Sequence, residues 1–300
     1  MTIHYRPARA QDLERADHLV VASINDLTVR HGFGAMAASH PPHFQLFSLQ
    51  DDPGGLWVAE EGDEIVGFGW SWACGDLWFL AQLFVSPEHQ GRSIGNELLQ
   101  RTFEHAKNSG ATTKALITFT FNRVSQGLYI RHGLFPRFPI YFFEATRDHL
   151  IGRPSGWQFR HTQLAETTSD LKSLDEIDAR VLGISREKHH RYLINEPATR
   201  GVRLYTGDDC IGYAYVSSSG HIGPLAVSRP DALATAFRTV IALAVESGAS
   251  KVSAFLPGAS ETALSIAAEY GMRITFPMLL MSSRDFGDWA GYLPRNPGFM

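Results

Sequence analysis

Cysteine is almost absent from this chain of 300 residues. Cys74 and Cys210 are too few for a disulfide framework, which fits a reducing compartment and makes cytoplasmic the expected location. Long apolar runs are missing as well. No stretch approaches the ~18 residues of a membrane helix, and even Thr239 to Val245 is preceded by Arg238, so no membrane partner is expected. Met1 to Asp12 has no apolar centre, so no secretory leader is expected either. Positive charge is sparse. Lys and Arg number 27 against 31 Asp and Glu, the net charge is −4, and no basic run exceeds two residues. A phosphate backbone demands a basic surface, so no nucleic-acid partner is expected. Histidine is not scarce, at 13 residues, but its spacing suits no metal. His40-Pro-Pro-His43 has a spacer that forbids a helical ligand pair, and His189 and His190 are adjacent, so a regular helix cannot aim both at one ion. No Cys/His cluster has zinc spacing, and the expected metal is none. A G-x-S-x-G elbow is lacking, which leaves a serine hydrolase without support.

What is present is an ordinary folded composition, 44% hydrophobic and 19% charged, in a length that suits one or two domains. The most informative stretch runs from Leu77 to Leu134. An apolar run, Leu77 to Val85, reads as a strand. The turn Ser86-Pro-Glu-His89 follows, and then Gln90-Gly-Arg-Ser-Ile-Gly95 leads into a helix. Ile94, Leu98, Leu99, Thr102, Phe103 and Ala106 lie at 3–4 spacing and give that helix one buried face through Asn108. Ser109-Gly110 has the form of a C-cap. Lys114 to Phe121 reads as a strand, Asn122 as the N-cap of a short helix closed by Gly133, and Phe138 to Glu144 as a further strand. Strand, glycine-bearing turn and helix together form a phosphate cradle, because converging N–H groups and the helix N-terminus favour an anion.

This order resembles the acetyl-CoA-binding core of the GCN5-related N-acetyltransferases. Their loop, Q/R-x-x-G-x-G/A after a strand ending in Val, is matched by Gln90-Gly91-Arg92-Ser93-Ile94-Gly95. Their helix N-x-x-(small)-x-x-x-Tyr-x-x-x-Gly-(apolar) is matched by Asn122, Ser125, Tyr129, Gly133 and Leu134. One departure stands out. The loop's middle glycine is Ser93, which is strained if the position needs φ > 0 and unstrained in a helical first turn.

The chain also carries a faint second copy of itself. Ile3 to Leu13 resembles the segment from Trp157, Ile65-Val-Gly-Phe68 resembles Cys210-Ile-Gly-Tyr213, and Leu83-Phe-Val85 resembles Leu225-Ala-Val227. The offset shrinks in order, from 154 (Arg6 to Arg160) through 142 (Val85 to Val227) to 138 (Gly133 to Gly271), as two divergent copies with deletions would give. Gly110 lies 25 positions after Val85, and Gly248 lies 21 after Val227. The loss falls on the phosphate turn, replaced by Ser228-Arg-Pro-Asp231-Ala-Leu before a helix to Glu246. Tyr129 aligns with Ala267. The expected architecture is therefore α/β, with two tandem domains, each a mixed, mainly antiparallel twisted sheet flanked by helices. Residues 1–150 form the acetyl-CoA-binding catalytic domain and 151–300 a degenerate, structural, acceptor-side domain, with a border near the turn-rich Gly152-Arg-Pro-Ser-Gly156.

The resemblance implies direct transfer of an acetyl group from acetyl-CoA, as acyl-donor substrate, to a primary amine of a small molecule or peptide. An acyl-CoA-binding sensor without transfer activity is the alternative. A homodimer is compatible with the sequence. By the resemblance, Gln90 to Gly95 cradle the pyrophosphate, the backbone of Leu83, Phe84 and Val85 pairs with the pantetheine arm, Asn122 and Ser125 hold that arm, and Tyr129 is the acid for the leaving thiolate. Many relatives place a carboxylate about four residues before the Val; here the position is Ala81, flanked by Leu80 and Gln82. Glu60, Glu61, Asp63 and Glu64 read as a solvent-facing hairpin cluster. Trp70 and Trp72 share one strand face, as core or as an aromatic acceptor pocket. His31 to His40 reads as a mobile flap. The tail Gly291 to Met300, with two prolines and apolar Tyr292 and Leu293, has the composition of a docking end, and the carboxylate of Met300 is one candidate for the missing base.

Overall fold

The computed structural model describes residues 2–153 and 158–300. Its contacts divide the chain into two compact units, and each borrows from the other half of the sequence. Unit 1 comprises residues 1–135 and 281–284; unit 2 comprises residues 136–280 and 285–300. The contacts thus part at Phe135/Pro136 rather than near Gly152, and Pro154 to Gly156 of the expected linker, like Trp157 of the repeat, lie outside the described residues.

Unit 1 contains β1 (Ile3–Pro7), α1 (Leu13–Arg30), α2 (His43–Asp51), β2 (Leu56–Glu61), β3 (Glu64–Cys74), β4 (Leu77–Val85), α3 (Ile94–Asn108), β5 (Thr113–Phe119) and α4 (Arg123–Arg131). Strands β1 to β4 pair antiparallel in sequence order, and β4 pairs parallel with β5. The two faces of β3 are covered by different helices. A Cβ on Gly67 or Gly69 would meet Leu98 or Thr102 of α3, whereas Trp70 packs edge-on against Phe44 of α2, 5.1 Å between ring centroids. Alternation along a strand forces this division. Helix α3 turns Ile94, Leu98, Leu99, Thr102 and Ala106 into the core, as its spacing predicts, and ends at Ser109 before Gly110. The segment 281–284 is stitched into unit 1 by Ser283 N donating to Lys114 O (2.9 Å) and by Arg284 donating to Thr113 and Asp76.

Unit 2 contains β6 (Phe135–Thr146, from Pro136 onward), α5 (Arg147–Leu150), β7 (Arg160–Gln163), α6 (Thr168–Val181), α7 (Glu187–Asn195), β8 (Thr199–Thr206), β9 (Asp209–Ser217), β10 (His221–Val227), α8 (Leu233–Glu246), β11 (Lys251–Pro257), α9 (Glu261–Glu269), β12 (Arg273–Ser282, to Leu280) and β13 (Tyr292–Leu293). Its strand order β7-β8-β9-β10-β11 repeats the β1-β2-β3-β4-β5 order of unit 1. Beyond β11 lie β6 and then β12. The strand after α4 therefore joins unit 2, paired with β11 from Lys251↔Thr146 to Pro257↔Ile140. The core is closed by α8 and α9, with Leu233, Phe237, Val240 and Ile241 fully buried. The fold class is as expected: mixed, mainly antiparallel sheet flanked by helices, built twice.

Candidate active site

The site begins with a defect in β4. Trp70 pairs with Gln82 while the next residue, Ser71, pairs with Leu80, so Ala81 has no partner on β3. Such a bulge bends its strand and increases the local twist. The parallel pairing with β5 stops at the same place, at Leu80↔Leu116, although β4 continues to Val85 and β5 to Phe119. The two strands separate, and the β5-facing edge of Leu83 to Val85 is left uncovered by β5. The Val85 carbonyl accepts from Ser23 Oγ (3.3 Å) and Gln90 Nε2 (3.2 Å), which ties the strand end to α1 and to the loop.

The loop lies directly beyond this edge. Among the described residues, the backbone N–H groups of Gly91, Arg92, Ser93, Ile94 and Gly95 have no acceptor; the first bond at this end of α3 is Glu97 N to Ser93 O. Unpaired donors at a helix N-terminus are what an anion needs. Gly91 has φ +80°, and Ser93 has φ +62°, the sole positive φ of a non-glycine residue among those described. Ser93 is thus left-handed, not part of the first helical turn, and its hydroxyl makes no cap bond. Arg92 and His89 both contact Glu61, at 2.7 and 3.1 Å. These hydrogen bonds hold the Glu61 carboxyl down at about 2. Glu61 is therefore not an idle member of a solvent-facing cluster but the clamp that fixes the loop; Glu60 likewise binds Arg6. Sequence offered no signal for this, since an acidic turn looks the same whether or not an arginine reaches it.

Helix α4 carries the remaining candidates. Asn122 caps it, its Oδ1 accepting from Ser125 N at 3.2 Å, as the sequence predicts. Tyr129, one helical turn after Ser125, is 5% exposed. Burial pushes its phenol up, and the Ser125 hydroxyl beside it opposes the shift only partly. It holds its proton throughout the physiological range, so it can serve as an acid and not as a base.

On the α2 side of β3, Trp70 Nε1 and Gln82 Oε1 are buried without a partner among the described residues. The two residues face each other across the strands next to the Ala81 bulge. Trp70 and Trp72 are 3% and 1% exposed, so both serve the core, and Trp72 stacks on Phe79 at 4.9 Å. The flap is pinned rather than free. Asn25 bonds the backbone of Met36 and Ala37, Thr28 bonds Gly34 O, and Phe33 stacks on Phe121 at 4.8 Å. His189 and His190 are buried core histidines; His190 bonds Asp178 and Tyr215. Ser71, His105 and Asp52 make a relay of triad composition, with both links at 2.9 Å. Ser71 is fully buried and also contacts Gly55 O, so no substrate carbonyl reaches it. Among the described residues no group of three or more His, Cys, Asp or Glu is placed to hold a metal. No helix among them is long and apolar enough to cross a membrane.

Residues 22–134, which contain the β4 edge, the loop and α4, match the model of the Acetyltransferase (GNAT) family. The mycothiol acetyltransferase of Streptomyces bingchenggensis is 30% identical over 114 residues, 33% of this chain and 36% of that one, so the match spans about a third of that curated relative. Among solved structures, a Pyrococcus horikoshii protein classed as an acetyltransferase superposes with a TM-score of 0.77 over 99% of this chain and 96% of its own, at 18% identity. A tandem GNAT protein from the clavulanic acid biosynthesis pathway gives 0.59 over 94% and 98%, at 15% identity. At such identities the likeness is one of fold, and it extends through both units.

Proposed function

We propose that this protein is an acetyl-CoA-dependent N-acetyltransferase acting on a primary amine of a small molecule or peptide. Residues 1–150 carry the chemistry and residues 151–300 a structural copy. One observation carries the reading: a row of unpaired amides, Gly91 to Gly95, stands at the end of a strand edge that a bulge has turned away from its neighbour. That pairing of anion cradle and open edge fits a long ligand with a phosphate at one end and amides along its arm. The amides of the loop would take the pyrophosphate, and the edge of Leu83 to Val85 the pantetheine amides. Asn122 spends its Oδ1 on the helix cap, which leaves its NH₂ for the same arm, beside Ser125.

Bound acetyl-CoA supplies an acetyl thioester. The chain's own residues orient the arm and manage protons. Tyr129 Oη points a proton at the departing sulfur; a phenol near 10, raised further by burial, is a weaker acid than a thiol near 8.5, so it stabilises the charge developing on sulfur through a hydrogen bond, and the thiolate takes its final proton from water. Ala81 offers no base. Gln82 Oε1 and Trp70 Nε1 beside it are buried and neither removes a proton, so the amine arrives neutral or loses its proton to water.

Calorimetry with acetyl-CoA and thiol release across an amine panel test the proposal. One acetyl-CoA per chain and amine-dependent thiol release are expected. Absence of binding would sink the reading, whereas binding with no turnover on any amine would favour the sensor alternative.

A further inference from the structure

Unit 2 contains the same slot, and the slot is full. With β10 aligned by the 142 offset and β11 by the 138 offset, the last parallel pair of unit 2, Ile222↔Ala254, is the equivalent of Leu80↔Leu116. The antiparallel neighbour also slips at the equivalent place, since β9 passes from Val216↔Ile222 to Ala214↔Leu225 with one extra residue on β10. Both halves therefore bend their fourth strand away from their fifth at matching residues. In unit 2 the edge so exposed is taken by the chain's own tail. Leu293 and Tyr292 of β13 pair antiparallel with Leu225 and Ala226, and Val227 N donates to Gly291 O at 2.9 Å. Since β9 covers the other edge of these residues, β13 must lie on the side that β11 leaves, and it contacts β11.

The fit is built, not incidental. Tyr292, Leu293 and Met300 are fully buried. Gly223, the equivalent of Ala81, has φ +145°, and a Cβ there would stand 2.6 Å from Pro294 O and 2.8 Å from Arg295 Cα, so the tail's backbone runs where a side chain would be. His221 Nε2 donates to Arg295 O (2.5 Å). Arg186, 1% exposed and paired with Asp178 at 2.9 Å, donates to Tyr292 Oη (2.8 Å) and to Met300 O.

We propose that unit 2 retains a pantetheine-type slot and that the tail segment Gly291 to Leu293 is its resident ligand. An extended peptide and a pantetheine arm present the same kind of amide donors and acceptors to a strand edge, so one can replace the other. The inference rests on the reading above only in taking the unit 1 slot as the pantetheine site.

The test is competition. A chain ending at Ala290 is combined with a fluorescent synthetic peptide of residues 289–300, and S-acetylpantetheine is then titrated in. The peptide should rebind, and the competitor should raise its apparent Kd about tenfold at ten times its own inhibition constant. Failure to rebind to a folded truncated chain, or an affinity that saturating S-acetylpantetheine leaves unchanged, would overturn the proposal. If truncation prevents folding, the full chain with Leu293→Asp, which puts a charge in the slot, decides. Hydrogen exchange at Val227 should then accelerate at least tenfold and slow again with S-acetylpantetheine, and an unchanged rate, or one indifferent to the compound, overturns the idea. Binding of acetyl-CoA to the intact chain is scored separately, so failure of the first-half reading and failure of this one are distinguishable.

Discussion

In unit 1 and in unit 2 a parallel strand pair separates at equivalent residues, but only the first leaves its edge available and keeps a loop of free amides beyond it. The second has lost the loop, has Ala267 where the first has Tyr129, and has its own tail in the gap. Separation of the strands belongs to the backbone architecture, since a bulge produces it in both. Chemistry, on the proposed reading, belongs to the few residues added around the gap. On that reading the second copy is relieved of catalysis but must still cover its exposed strand edge, because unpaired N–H and C=O groups in a core are costly.

The largest effect should come from the residue that most separates the halves. Tyr129→Phe is expected to lower turnover about 10²–10³-fold, the usual loss for a hydrogen-bond donor to developing charge, while acetyl-CoA affinity stays within about twofold. Steady-state kinetics with calorimetry on the same preparation check this, and full activity would reduce Tyr129 to packing. Next comes the loop. Gly95→Trp should weaken acetyl-CoA binding at least about tenfold, since a bulky group at the helix N-terminus blocks the amides. Gly95→Ala should do much less, because its Cβ would meet Val85 Cγ2 at an ordinary 3.6 Å. Equal affinities for a folded Trp variant and the parent would remove the loop from the site.

Acid should act on the filled slot. Burial lowers His221 to about 4, with the nearby Arg295 and Lys251 charges adding to the shift. A folded value below the unfolded 6.5 means stability that is complete above 6.5 and is lost as pH falls toward 4. The urea midpoint of unit 2 should drop across that window, and His221→Gln should flatten the slope. His189, also lowered by burial, would leave a residue of it. An unchanged slope would show that His221 is not coupled to folding. The smallest effect is expected at Ser93. Its left-handed backbone favours glycine, but glycine costs chain entropy, so Ser93→Gly should alter stability by less than about 1 kcal/mol. Ser93→Val should destabilise by more than that, as thermal melts would show.

Much of the local structure around the candidate site was legible. Apolar spacing located α3, Asn122 announced the cap of α4, and Gly110 and Gly133 marked the helix ends, because each is a local signal written within a few residues. The repeat was legible in the ordered offsets. The Glu61 clamp, the pinning of the flap by Asn25 and the bulge at Ala81 were not, because each depends on a partner in a different element, outside the reach of local spacing. The tail's composition foretold docking but not its place. Met300, considered as a base, instead has its backbone oxygen engaged by Arg186 within unit 2.

The sequence by itself determined the periodic elements, the amide cradle and the loss of that cradle in the second copy. These follow from side-chain spacing, glycine and helix ends. Tertiary structure alone decided which strand edges stay open. Strand Phe135–Thr146 pairs with β11, residues 281–284 return to unit 1, and Gly291 to Leu293 fill the second slot. The physical reason is that every strand edge presents nearly the same backbone donors and acceptors, so the choice of partner is made by burial and register across the whole fold.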